Sequence, residues 1–211
     1  MKNIAIISSF SLACTLPAAA ASLFFVETFS VDDDEQGWFP VSVASGEMLQ
    51  QNTATDMLDF SGTAYSSFYV AADGLSSAGA FTGDYPAAGV TGFTFDLFLA
   101  STSTVDGFYF ELANFTEDET WQYTIPVPSF DTTNNFFIPF DNGLGWSQIS
   151  GDQPFSFILG QTESIGIAFT SASSGDIAGS IDNIGTVPEP SALAIFALTG
   201  LLATTRRRKK A

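Results

Sequence analysis

The stretch Thr91-Gly92-Phe93-Thr94-Phe95-Asp96-Leu97-Phe98-Leu99 decides the fold class. Phe93, Phe95, Leu97 and Leu99 share one face, with Thr94 and Asp96 on the other, which is the period-two pattern of a half-buried strand. The same alternation recurs on both sides of it. Phe108, Phe110 and Leu112 alternate with Tyr109 and Glu111 over Asp106–Ala113. Trp121, Tyr123, Ile125 and Val127 do so over Thr120–Val127, and Ile165, Ile167 and Phe169 over Ser164–Thr170. Further strands are expected at Leu23–Phe29, Asp56–Phe60, Tyr65–Ala71, Phe136–Phe140, Phe155–Leu159 and Ser180–Gly185. Between these runs lie Gly, Ser, Asp, Asn and Pro, the residues that turns require. No window sustains a helical period. Many short strands separated by such turns predict an all-β, antiparallel sandwich of jelly-roll-like form.

Charge is distributed very unevenly along the 211 residues. The six basic residues are Lys2 and the run Arg206-Arg207-Arg208-Lys209-Lys210, whereas all 23 acidic residues lie between Glu27 and Glu189, and there is no His. The body of the chain is therefore a polyanion without a cation of its own. It has nothing with which to neutralise phosphates, which excludes nucleic acid as a partner. The one cysteine, Cys14, lies in the N-terminal apolar segment, so disulfides and thiol chemistry are absent from the body. Stability must come from packing, for which 22 Phe are available, each buried ring contributing roughly 1.5–3 kcal/mol.

Both ends read as targeting segments. Met1-Lys2-Asn3, the apolar run Ile4–Leu16 and Ala18-Ala19-Ala20-Ala21 have the order of a secretory signal peptide, cut after Ala20 or Ala21. Residues 1–21 are thus the expected signal peptide, 22–186 the acidic β-domain and 187–211 a sorting segment. That last segment comprises Val187-Pro188-Glu189-Pro190, an apolar run over about 191–205 and the basic tail 206–210. The apolar run is short for a span, because a helix rises 1.5 Å per residue and the hydrocarbon core is about 30 Å thick. Reach from the long Arg206, Arg207, Arg208, Lys209 and Lys210 side chains would make up the difference, with the tail on the cytoplasmic side.

The ordered triplet of Pro-Glu-Pro, apolar helix with Gly200-Leu201, and Arg-rich end resembles the PEP-CTERM sorting signal of Gram-negative bacteria. The resemblance covers about two dozen residues. It implies export past signal peptidase, retention in the inner membrane by a C-terminal transmembrane helix, and processing by an exosortase. It also implies association with exopolysaccharide in a biofilm or extracellular matrix. More loosely, the body resembles laminin-B-type and carbohydrate-binding jelly-roll domains. The landmarks are Gln36-Gly37-Trp38, Phe81-Thr82-Gly83-Asp84-Tyr85, Trp121-Gln122-Tyr123 and Gly179-Ser180-Ile181-Asp182-Asn183-Ile184.

Residue types exclude most catalytic machinery. Without His, Cys or Lys in the body there is no Ser-His-Asp or Cys-His site, no ordinary zinc site and no phosphate-binding lysine. Carboxylate pairs remain as a route to glycan hydrolysis. However, Glu117-Asp118-Glu119 and Asp32-Asp33-Asp34-Glu35 have the look of solvated turns. The expectation is a non-enzymatic surface or matrix protein, the alternative being an extracellular glycan hydrolase or lyase using paired carboxylates. Calcium takes oxygen ligands, which the body has in excess. By the resemblance to jelly-roll domains, Glu27 on the first strand and Asp182 on the last are the candidate ligands, with Asp32 to Asp34 as an alternative loop site. Trp146, in the Gly-rich stretch 142–146, is the candidate for stacking on a sugar ring.

Overall fold

The computed structural model of the protein describes residues 21–22, 24–31, 34–42, 45–141 and 144–189. Its strands are β1 (Val26–Glu27), β2 (Phe39–Ser42), β3 (Ser45–Asn52), β4 (Met57–Asp73), β5 (Val90–Leu99), β6 (Gly107–Asn114), β7 (Glu119–Ile125), β8 (Thr133–Pro139), β9 (Trp146–Ser150) and β10 (Ser164–Pro188). Two short helices, α1 (Tyr85–Ala88) and α2 (Phe155–Gly160), interrupt them. Every strand pairing is antiparallel.

Two long strands build the sandwich by passing through both of its sheets. In the first half of β10, Ser164–Thr170 pairs with β4 on one side and β6 on the other. Register shifts between Thr170 and Ile177 then turn the strand, and Gly175–Ile181 pairs with the earlier part of β4 while Gly179–Pro188 pairs with β5. Ala64 in β4 and Ser174 in β10 take left-handed φ values of 52° at this corner. Such bulges let one strand change sheets. The first sheet therefore runs β2-β4-β10-β6-β7-β9, and the second runs β3-β4-β10-β5-β8 with β1 beside Ile184 and Gly185.

The expected inward faces meet between these sheets. Phe93, Phe95, Leu97 and Leu99 of β5 are buried, as are Phe108, Phe110 and Leu112 of β6 and Ile165, Ile167 and Phe169 of β10. The rings form a continuous stack, with Phe60–Phe169 at 5.3 Å, Phe169–Phe108 at 5.2 Å and Phe108–Phe136 at 5.2 Å between centroids. Pairs of this kind add about 0.5–1.5 kcal/mol beyond area burial.

Two expectations need correction, and two strands join those expected. Phe155–Leu159 is a helical turn rather than a strand, following Pro154 in extended conformation. Phe155 and Ile158 are its buried positions, and Phe155 meets Trp121 at 5.1 Å and Trp146 at 4.9 Å. Over five residues a buried strand and one helical turn give the same apolar pattern. The strand expected over 23–29 shortens to Val26–Glu27, because Phe24 and Phe29 adopt left-handed φ. The polar β3 and β9 carry no apolar alternation and are held as strands by pairing with β4 and β7.

At the other end, β10 continues through Val187 and Pro188, which pair with Gly92 and Val90. The signal-peptide residues 1–20 and the expected span at 191–205 lie outside the described residues. Among the described residues no helix is long and apolar enough to cross a membrane.

Candidate functional site

Alternation that sends large side chains inward leaves the outward face of the first sheet with a distinctive pattern. β10 presents Ser164, Gly166 and Ala168 there, all small. Ala168 lies opposite Tyr69 of β4 and Tyr109 of β6, and Gly166 lies opposite Ala71 and Glu111. Ala168 is fully buried between these tyrosines, so the sheet face opens farther along, over Gly166. A groove of about 210 Å³ opens here, its walls including Tyr69, Ala71, Glu111, Ala113 and Phe115 over Gly166. A Cβ built on Gly166 would sit 3.8 Å from Glu111 Cβ and 4.0 Å from Tyr69 Cδ1, ordinary contact distances. The floor is low because the side chain is absent, not because space is lacking.

Polar groups converge on this groove. Gln122, opposite Glu111 on β7, donates its Nε2–H to Glu111 Oε1. Burial pushes the Glu111 carboxyl above its usual value, and the Gln122 bond offsets part of the rise. Burial, then the fields of Glu111 and Tyr109, push the Tyr69 phenol up, so it remains a neutral hydroxyl that can donate or accept. Aromatic walls, a small-residue floor and a few placed polar groups can hold a flat ring carrying hydroxyls. Tyr69, Glu111, Gln122 and Gly166 escaped the sequence reading. Their only signal is large outward residues on β4 and β6 facing small ones on β10, which needs the strand register to be seen.

The candidate calcium ligands come out differently. Glu27 is buried and committed locally: Oε1 accepts from the amides of Thr28 (3.1 Å) and Phe29 (3.2 Å), and Oε2 from Ser77 Oγ (2.8 Å). Asp182 faces Asp96 across the strand pair. Its Oδ2 accepts from Asn183 Nδ2 at 3.0 Å, while its Oδ1 is buried with no hydrogen-bond partner. Burial pushes the Asp182 carboxyl up, a backbone bond from Asn183 offsets part of this, and Asp96, Asp56 and Glu27 push it further up. An unpartnered oxygen in a negative field suits a cation, although among the described residues no three His, Cys, Asp or Glu side chains converge on one point. Residues 32 and 33 lie outside the described residues.

Trp146 is a core residue. Its exposure is 7 %, its Nε1–H donates to Pro139 O at 2.8 Å, and Phe155, Tyr123 and Phe110 surround its ring at 4.9–6.5 Å. The glycine before it explains the inward turn. Gly145 has φ 85°, and a Cβ there would lie 2.5 Å from the Tyr123 ring. The Gly-rich segment seats the indole instead of displaying it. Glu119 also departs from expectation. It ends the acidic run at the start of β7, yet it is fully buried, with Oε1 accepting from Trp121 Nε1 (2.7 Å) and Gln148 Nε2 (2.6 Å) and Oε2 from the Gln153 amide (3.0 Å).

The sorting residues begin inside the sheet. Thr91 Oγ1 donates to the carbonyls of Val187 (3.2 Å) and Pro188 (3.4 Å), and the Glu189 amide donates to Gly89 O at 2.9 Å. Pro190 and the basic tail Arg206–Lys210 lie outside the described residues.

Comparison with known proteins agrees with both parts. No curated relative matches the chain. Among solved structures, an agarase is similar at 11 % identity and a TM-score of 0.56, covering 77 % of this chain and 24 % of its own. The chain thus spans about a quarter of that enzyme's length, and at this identity the likeness concerns the fold. A family 11 carbohydrate-binding module of a Clostridium thermocellum cellulosomal cellulase is similar at 16 % identity and a TM-score of 0.46, covering 79 % of this chain and 96 % of its own. The L4b domain of human laminin alpha-2 follows at 12 % identity and 0.44, covering 61 % and 79 %. Residues 186–209 of this antiparallel β-sandwich protein match the PEP-CTERM protein-sorting motif, a signal for export and C-terminal membrane anchoring in Gram-negative bacteria.

Proposed function

We propose that this protein is a non-enzymatic, exported surface or matrix protein whose groove on the first sheet binds a polysaccharide. The observation that carries this reading is the groove itself, with Tyr69 and Phe115 as aromatic walls, Gly166 as its floor and Glu111, held by Gln122, as its hydrogen-bonding group. Sugar rings offer a flat apolar face and a rim of hydroxyls, which such a groove matches. One carboxylate, Glu111, lines the groove, whereas hydrolysis by paired carboxylates needs two at about 5–10 Å. Signal peptidase and an exosortase act on the chain as processing enzymes, with the inner membrane as its transient anchor. The partner is then the exopolysaccharide of a biofilm. Calcium enters as a structural ion beside Asp182, supported by the unpartnered Oδ1 and the acidic neighbours.

Gly166→Val tests the groove directly. Its methyl groups would occupy the floor at a site where the Cβ makes only ordinary contacts. In affinity electrophoresis through polysaccharide-containing gels, the native protein should be retarded by at least one polysaccharide. Gly166→Val and Tyr69→Ala should run as in a blank gel while melting cooperatively. Equal retardation of all three proteins would refute the assignment. Release of reducing ends that stops in Glu111→Gln would instead identify a glycan hydrolase or lyase.

A further inference from the structure

The charge map sets a second condition on whatever enters the groove. Between residues 3 and 205 there is no Lys, Arg or His, and all 23 carboxylate side chains of the protein fall there. Around the groove itself, Glu111 forms part of the wall. Asp73 stands on β4 opposite Ser164. Glu163 flanks the Phe115 end, where its carboxylate accepts from the amides of Phe115 (2.8 Å) and Thr116 (3.1 Å). Among the described residues no ammonium or guanidinium offsets any of them.

Resting on the groove as a polysaccharide site, we infer that its ligand is an uncharged polysaccharide, and that uronate-bearing, sulfated or pyruvylated chains are rejected by repulsion. Two physical reasons act together. An ionised carboxylate only accepts hydrogen bonds, so Glu111 can take a sugar hydroxyl but has nothing to exchange with a ligand carboxylate or sulfate. Like charges brought together in a partly dehydrated groove are strongly unfavourable, and a cleft lined by one sign of charge concentrates that field. Specificity of this kind comes from what is disfavoured rather than from an added contact. Cationic polymers are poor probes of it, because they would coat the whole acidic surface.

The test uses the full chain with a chelator present, so that divalent ions cannot bridge acidic partners. Neutral β-glucan, agarose and galactomannan are compared with alginate and polygalacturonate by affinity electrophoresis and by calorimetry. At low salt, at least one neutral polymer should bind, and the anionic ones should bind at least a hundredfold more weakly. In 0.5 M NaCl long-range repulsion is screened to a few ångström, and the remaining preference should fall at least tenfold in Glu111→Gln. Comparable affinity for alginate and a neutral polymer at low salt would overturn the inference while leaving the groove as a glycan site. A preference unchanged in Glu111→Gln at high salt would also overturn it. Failure of every neutral polysaccharide to bind, in chelator and in calcium alike, would remove the groove assignment itself.

Discussion

Replacing Glu119 by Gln keeps shape and volume while removing a charge from the interior of a domain that has no cation to pair with it. The carboxylate is 0 % exposed and joins three parts of the chain: Trp121 in its own strand, Gln148 in β9 and the Gln153 amide before α2. It fits because Gly151 has no side chain, since a Cβ there would stand 1.8 Å from Oε2. Burial pushes its pKa up, but hydrogen bonds from Gln153, Gln148, Trp121 and Asp152 outweigh this and hold it below the usual glutamate value. A glutamine carbonyl can retain Trp121 and Gln148, but its NH2 group must then face the Gln153 N–H. Two charge-assisted bonds become neutral ones, a loss of about 1–1.5 kcal/mol each, and one buried donor is left unmade at about 1–3 kcal/mol. Relief from burying a charge returns part of this, leaving a net cost of about 3 kcal/mol. For a protein of this size that is a fall in Tm of about 6–12 °C. The sign with pH follows from the lowered folded-state pKa. The stabilisation is complete above the unfolded-state value near 4.5 and is lost as pH falls through the lower folded value. Urea titrations of both proteins should therefore show the full gap at pH 7 and a narrowing gap below pH 4. A Tm within 2 °C of the native protein at pH 7, or a gap that widens in acid, would show that Glu119 is not the charged hub described.

Asp182→Asn separates two accounts of the buried carboxylate facing Asp96. Because the folded pKa is raised, the native protein loses stability as pH rises from the unfolded value of 3.8 through the folded one. With a chelator, Asn should therefore stabilise at pH 7 by about 0.5 kcal/mol, the scale of a cross-strand charge pair. If calcium sits there, adding it should raise the Tm of the native protein and not of the variant, as scanning calorimetry would show. Trp146→Ala should cost about 3–5 kcal/mol as a buried aromatic truncation, while the folded fraction still migrates with polysaccharide like the native protein. Thr91→Val removes the hydroxyl that donates to the Val187 and Pro188 carbonyls. Amide exchange at Val187 and Glu189, and proteolysis there, should accelerate with little change in Tm.

The legible and illegible parts of this protein differ in the range over which their causes act. Phe93 to Leu99 and Phe108 to Leu112 declare their faces within one strand, so the sandwich could be read from local alternation. The corner Ser171-Ala172-Ser173-Ser174-Gly175 has the composition of a loop, and only its pairing partners reveal that β10 continues through it into the second sheet. Glu119 looks solvated beside Glu117 and Asp118 because Gly151, which makes room for it, is remote in sequence. The groove is harder still. Gly166 is an ordinary outward residue until register sets Ala71 on one side of it and Glu111 on the other. The same strand also explains why export signal and site belong to one argument. Gly166 on the groove floor and Pro188 of the sorting motif are both residues of β10, the first hydrogen-bonded between β4 and β6 and the second against β5. A grip on Val187 and Pro188 would therefore act on the groove through a continuous, paired strand.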